Sequence, residues 1–127
     1  MNIILLFRWY GENPKEVVEQ MHKIAGCLEK KGYKVYHATK YADYFEEKKL
    51  PQWKRLEFTF KEIDDSKFML VYQKSEEISQ GMLIEIGYGI AKGKKIIWAK
   101  KKGVENRYLT DGASKIIEFE DFNDLIN

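Results

Sequence analysis

A single cysteine, Cys27, stands in a chain of 127 residues. That excludes an intramolecular disulfide and a cysteine-based zinc cluster, and within its helical pattern Cys27 reads as a small core residue. Prolines number only two, and no stretch is low in complexity or linker-like. No apolar run approaches the roughly 20 residues that a membrane-spanning helix needs. The opening MNIILLFRWY carries neither a basic segment nor a small-residue cleavage site, so a signal peptide is not expected. Acids and bases nearly cancel, leaving a formal net charge of +2. Lysines alternate with acids as on a solvated surface, so nucleic acid is not the expected partner. The one basic run, Lys100 to Lys102, reads as a solvated strand end. What remains is one soluble domain over residues 1–127, with an expected cytoplasmic location.

What is present is an alternation of short apolar runs and helical patterns. Asn2 to Phe7 reads as a buried strand. Asn13 is a candidate N-cap with Pro14 at the first helical position, followed by Val17, Met21, Ile24, Ala25 and Leu28 at helical spacing, up to Gly32. Tyr33 to His37 is a second strand, so the first third of the chain is a βαβ unit with parallel strands. The segment from Ala38 to Leu50 is polar and aromatic, with no decisive period. Gln52 to Ile63 places Trp53, Leu56, Phe60 and Ile63 on one helical face. Strands are expected at Phe68 to Tyr72, Lys95 to Ala99 and Lys115 to Phe119, with a short closing helix at Phe122 to Ile126. Unbroken apolar runs such as FMLVY suit strands covered on both faces. The expected fold is a doubly wound α/β three-layer sandwich of about five parallel strands, with ligands bound at the carboxyl ends of the strands.

The chain is organised around SEEISQGMLIEIGYGIAKGKKIIWAK, Ser75 to Lys100. It reads as a polar loop, a nearly all-apolar helix, a turn and a strand. Such a helix is expected to be buried on all sides. Glu85 sits among Met82, Leu83, Ile84, Ile86 and Tyr88, where an unpaired carboxylate is costly. Two readings of it stand here: a structural carboxylate paired with a lysine or a loop, or a reactive group. Backbone N–H groups at the helix start, near Ser79 and Gly81, suit an anion or a sugar hydroxyl. A carboxylate one turn further along can serve as nucleophile or general base at a sugar carbon. Gly87 and Gly89 read either as close-approach positions against the sheet or as part of a subunit contact.

The segment SQGMLIEIGYGIAKGKKI resembles the signature of the nucleoside 2-deoxyribosyltransferase superfamily, through Ser79, Gly81, Glu85, Ile86, Gly87, Tyr88, Gly89, Ala91, Gly93 and Lys94. The resemblance is specific over about Ile63 to Lys95. It implies cleavage or transfer of an N-glycosidic bond, with Glu85 attacking C1′ and with Ser79, Gly81 and Met82 in the substrate site. Members that act on free nucleosides place an aspartate at the position of Ser79. Those that hydrolyse nucleoside 5′-monophosphates place a serine, so a small-molecule nucleotide is the expected substrate, with a nucleoside next. The first loop, Phe7-Arg8-Trp9-Tyr10-Gly11, is bulkier than the family's glycine-rich loop. There Phe7, Arg8 and Trp9 are candidate substrate-binding residues: Arg8 offers a phosphate fork and Trp9 or Tyr10 a stacking surface, and packing is the competing reading. The family's acidic residue before strand three falls near Glu57 or Thr59. His37 ends strand two, where it either contacts a base or simply closes the strand. No metal or organic cofactor is implied. A homodimer or higher homo-oligomer is implied, with Trp9, Tyr10, Tyr41, Tyr44 and Trp53 as interface candidates. Two alternatives are carried: a TIR-like NAD glycohydrolase, and a nucleotide-binding or signalling module without turnover.

Overall fold

The computed structural model describes residues 2–9, 11–105 and 110–126. Tyr10 therefore lies outside the described residues. Five strands form one parallel sheet: β1 (Asn2–Leu6), β2 (Lys34–His37), β3 (Phe68–Gln73), β4 (Lys95–Lys101) and β5 (Lys115–Phe119), in the order β2-β1-β3-β4-β5. Among the described residues, helices with described bounds are α1 (Pro14–Lys30), α2 (Ala42–Glu47), α3 (Gln52–Asp64), α4 (Gln80–Ala91) and α5 (Phe122–Ile126). The expected α/β sandwich is what forms.

Local chemistry explains the main boundaries. The Asn13 side chain accepts hydrogen bonds from the N–H groups of Lys15 and Glu16, and Pro14 follows it at the start of α1. Strand β3 runs through the middle of the sheet, between β1 and β4, and its Met69 to Gln73 are all buried, as its unbroken apolar run requires. One sheet face packs Ile3, Leu5, Leu70 and Tyr72 against Val17, Met21 and Ile24 of α1, with Phe122 and Leu125 of α5 closing the layer. The other face packs Ile4, Leu6, Met69, Val71 and Trp98 against Ile63 of α3 and Met82 and Ile86 of α4. The segment without a clear period, residues 38–50, becomes a 3-10 turn (Ala38–Tyr41) leading into α2.

One expectation is corrected here. Helix α4 is not buried on all sides: Met82, Ile86 and Gly89 are buried, while Leu83, Ile84 and Ile90 stand 45–51% exposed. The helix lies on one sheet face with α3 beside it, so only one stripe meets the core. That stripe sits very close to the sheet. A Cβ built on Gly89 would fall 2.0 Å from Met69 Sδ, whereas one on Gly87 would meet nothing within 4 Å. The structural reading of the motif glycines thus holds for Gly89 against the sheet.

The strand order changes direction between β1 and β3, whose following loops diverge. A crevice at the carboxyl ends of the strands opens at such a switch point. The site residues expected from the sequence gather there.

Candidate active site

A cleft of about 860 Å³ opens at this switch point. Its walls are the β1 loop, the end of β2, helices α2 and α3, and the first turns of α4. All seven site residues expected from the sequence line it: Phe7, Arg8, Trp9, Ser79, Gly81, Met82 and Glu85.

Ser79 caps α4, its hydroxyl accepting a hydrogen bond from the Met82 N–H at 3.2 Å, and its extended backbone turns the chain into the helix. The cap fixes the pose of the first turn. Glu85 follows on the cleft-facing side, half-buried, and among the described residues no hydrogen bond or ion pair partners its carboxylate. Burial alone pushes its pKa up to about 7. A paired structural carboxylate would show an acceptor role or a nearby cation, and among the described residues Glu85 shows neither. Gly81 stands one turn before it, with room for a Cβ 4.0 Å from the Glu85 carboxylate.

Three expectations need correction or refinement. Arg8 lines the cleft, but its guanidinium is already engaged: Nη1 donates to Glu12 at 2.9 Å and pairs with Glu77 at 2.8 Å. His37 does not face the cleft. It is fully buried, its Nδ1 meets the Thr39 hydroxyl, and its ring lies edge-on to His22 at 5.1 Å. Burial, then Lys40 and His22, push its pKa down to about 4, so it is neutral and structural. Of the two expected positions on α3, Glu57 does not line the cleft but pairs with Lys54 at 3.2 Å, and Thr59 does line it. An acidic partner for Glu85 is therefore not supplied by α3 at either expected position.

Other cleft residues escape a reading of the sequence. Tyr36, on β2, is 7% exposed, and its hydroxyl lies in the cleft wall beside the Thr59 side chain, short of a well-formed hydrogen bond among the described residues. Burial, more than any other cause, holds its phenol far above the usual range, so it stays a neutral donor. Its ring stacks on Tyr41 at 5.3 Å, and Phe58 packs against both rings. Phe45 of α2 also packs on Phe58 and lines the cleft, and Arg55 lies over the Phe45 ring while donating to the Leu50 carbonyl. In the aromatic segment after β2, Phe45 is thus part of the cleft wall, while the interface candidate Tyr44 is 44% exposed. Trp9 is 37% exposed and lies edge-on to Phe7 at 6.3 Å, with an indole surface open to the cleft. Among the described residues no group of histidine, cysteine, aspartate and glutamate is arranged to hold a metal, and no helix is long and apolar enough to cross a membrane.

The rest of the motif is structural. The Tyr88 hydroxyl donates to the Asp64 carboxylate at 2.8 Å, its ring stacks on Phe60 at 4.2 Å, and Lys94 donates to the Asp64 carbonyl. These contacts tie the far end of α4 to the end of α3, and Ser79 and Glu85 lie toward its cleft end.

No family model and no curated protein matches the sequence. Solved structures do match. A CMP N-glycosidase of Clostridium botulinum, BcmB, superposes with a TM-score of 0.71 at 17% identity, over 99% of this chain and 95% of that one. A 2-deoxyribosyltransferase from Bacillus psychrosaccharolyticus superposes with a TM-score of 0.69 at 19% identity, over 100% of this chain and 91% of that one. Both neighbours are enzymes of the nucleoside 2-deoxyribosyltransferase superfamily, whose motif the sequence resembles. Over its whole length, then, the chain has the fold of an N-glycosidase and of a deoxyribosyltransferase.

Proposed function

We propose that the protein cleaves or transfers the N-glycosidic bond of a nucleoside 5′-monophosphate, or of a nucleoside, with Glu85 as nucleophile. The observation that carries this reading is the unpartnered Glu85 carboxylate in the wall of a large cleft, about one turn beyond a Ser79-capped helix start. The motif and the two structural neighbours agree with it.

In the first step a Glu85 oxygen bonds to C1′. The C1′–N bond breaks, and its electron pair leaves with the base, which takes up a proton. In the second step water or another base bonds to C1′ and loses a proton, and the Glu85 carboxylate is regenerated. The half-buried setting favours this chemistry, because a poorly solvated carboxylate attacks with less water to shed. Ser79 and the N–H groups of Gln80 and Gly81 would hold the sugar or its phosphate, with Trp9 and Phe45 offering flat apolar surfaces to the base.

The test is chromatographic. Wild type and Glu85→Gln are incubated with nucleosides, their 5′-monophosphates and NAD, with and without an acceptor base. The reading expects base release by wild type alone. Binding without release from any of them would leave a nucleotide-binding module, and nicotinamide release alone would indicate an NAD glycohydrolase.

A homo-oligomer belongs to the same proposal. Leu83, Ile84 and Ile90 on α4 and Trp53 on α3 expose large apolar side chains, and Gly87 leaves α4 open to close approach. Sedimentation is expected to show a dimer or larger; a strict monomer at micromolar concentration would remove this part.

A further inference from the structure

The Arg8 guanidinium sits in a built position. Gly11 lies under it, where a Cβ would come within 2.6 Å of Arg8 Nη2, and Gly11 also adopts a positive φ of 79° that favours glycine. Two carboxylates share Arg8 Nη1, and they differ in kind. Glu12 has a side chain only 10% exposed, and Lys74 binds it as well at 2.7 Å. Glu77 has a side chain 73% exposed, and Arg8 is its one ion-pair partner among the described residues. Glu12 is thus a fixed anchor, and Glu77 is a weakly held anion at the cleft edge, two residues before Ser79.

An exposed carboxylate on a loop is easily exchanged, because solvent screens the pair and holding the side chain still opposes it. A phosphate monoester carries more charge and offers a two-oxygen match to the guanidinium fork. We propose that Glu77 is a placeholder anion that sets specificity: the substrate's 5′-phosphate displaces its carboxylate from Arg8, while an unphosphorylated sugar leaves the Glu77–Arg8 pair in place. This rests on the nucleotide reading of the cleft. It adds that Arg8 is held ready by Gly11 and Glu12 and that Glu77 competes with phosphate for it.

Calorimetry with ribose 5-phosphate and with ribose tests this on wild type, Glu77→Gln and Arg8→Gln. Removing the competing charge is expected to tighten ribose 5-phosphate binding about fivefold, the equivalent of about 1 kcal/mol. Ribose binding should be unchanged, and Arg8→Gln should weaken ribose 5-phosphate alone. Equal or weaker ribose 5-phosphate binding by Glu77→Gln, or none by either protein, would overturn the inference. Glu77 is an exposed loop side chain, and a melting temperature equal to wild type confirms that the variant is folded. The readout needs no turnover. Absence of base release with the expected binding pattern would defeat the glycosidase reading alone, and base release without that pattern would defeat the placeholder alone.

Discussion

Replacing Glu85 by glutamine should stabilise the protein, and the gain should depend on pH. The carboxyl group titrates at about 7 in the fold against a usual 4.5, because burial disfavours its ionised form. A carboxylate raised in this way gives its full stability contribution below about 4.5 and loses it progressively as pH rises through about 7. At about 1.4 kcal/mol per pH unit, the gap amounts to roughly 3 kcal/mol of destabilisation at pH 8. At pH 5 most of that penalty is absent, leaving less than about 1 kcal/mol. Glutamine keeps the shape and never ionises, so Glu85→Gln should melt on the order of 10 °C above wild type at pH 8 and within a few degrees of it at pH 5. Scanning calorimetry at the two pH values measures this directly. Melting of the variant at or below wild type at pH 8 would refute this expectation. Such a result would mean that the carboxylate has a stabilising partner in solution and that the structural reading of Glu85 is right.

Other expected outcomes follow from particular contacts. Gly89→Ala should destabilise by about 1–3 kcal/mol, because its methyl group would overlap the buried Met69 side chain, whereas Gly87→Ala should stabilise by about 0.5–1 kcal/mol; denaturant midpoints separate the two. Tyr36→Phe removes a buried hydroxyl that makes no well-formed hydrogen bond among the described residues, so its melting temperature should hold or rise, while kcat/KM for base release should drop about tenfold if that hydroxyl meets substrate; unchanged kinetics would remove Tyr36 from the site. Ser79→Ala should lower stability by about 1 kcal/mol through loss of the α4 cap, and it should raise KM for a monophosphate; a purely structural serine would change stability alone.

The strands were legible because each is a compact apolar run, and a parallel sheet covered on both faces demands such runs. Helix α1 was legible from its cap and its spacing. Residues 38–50 were not, because the rings of Tyr41, Tyr44 and Phe45 find their places against Tyr36 and Phe58, partners outside the segment. The all-apolar composition of α4 misled for a related reason: composition does not say how many neighbours a helix will have, and here a stripe of it meets solvent. At the site, Ser79, Gly81 and Glu85 were readable because they share one helix and its lead-in. The engagement of Arg8 by Glu77 was not, since it joins two loops that only the β1–β3 pairing brings together. Tyr36 looked like strand filler, and only the packing of α3 shows that its hydroxyl ends in a cleft wall beside Thr59.

The most direct measurement of the central claim is mass spectrometry of the protein quenched in acid during turnover. If Glu85 attacks C1′, wild type should carry one glycosyl adduct that maps to the peptide containing Glu85, and Glu85→Gln should carry none and release no base. Base release that persists in Glu85→Gln would contradict the account.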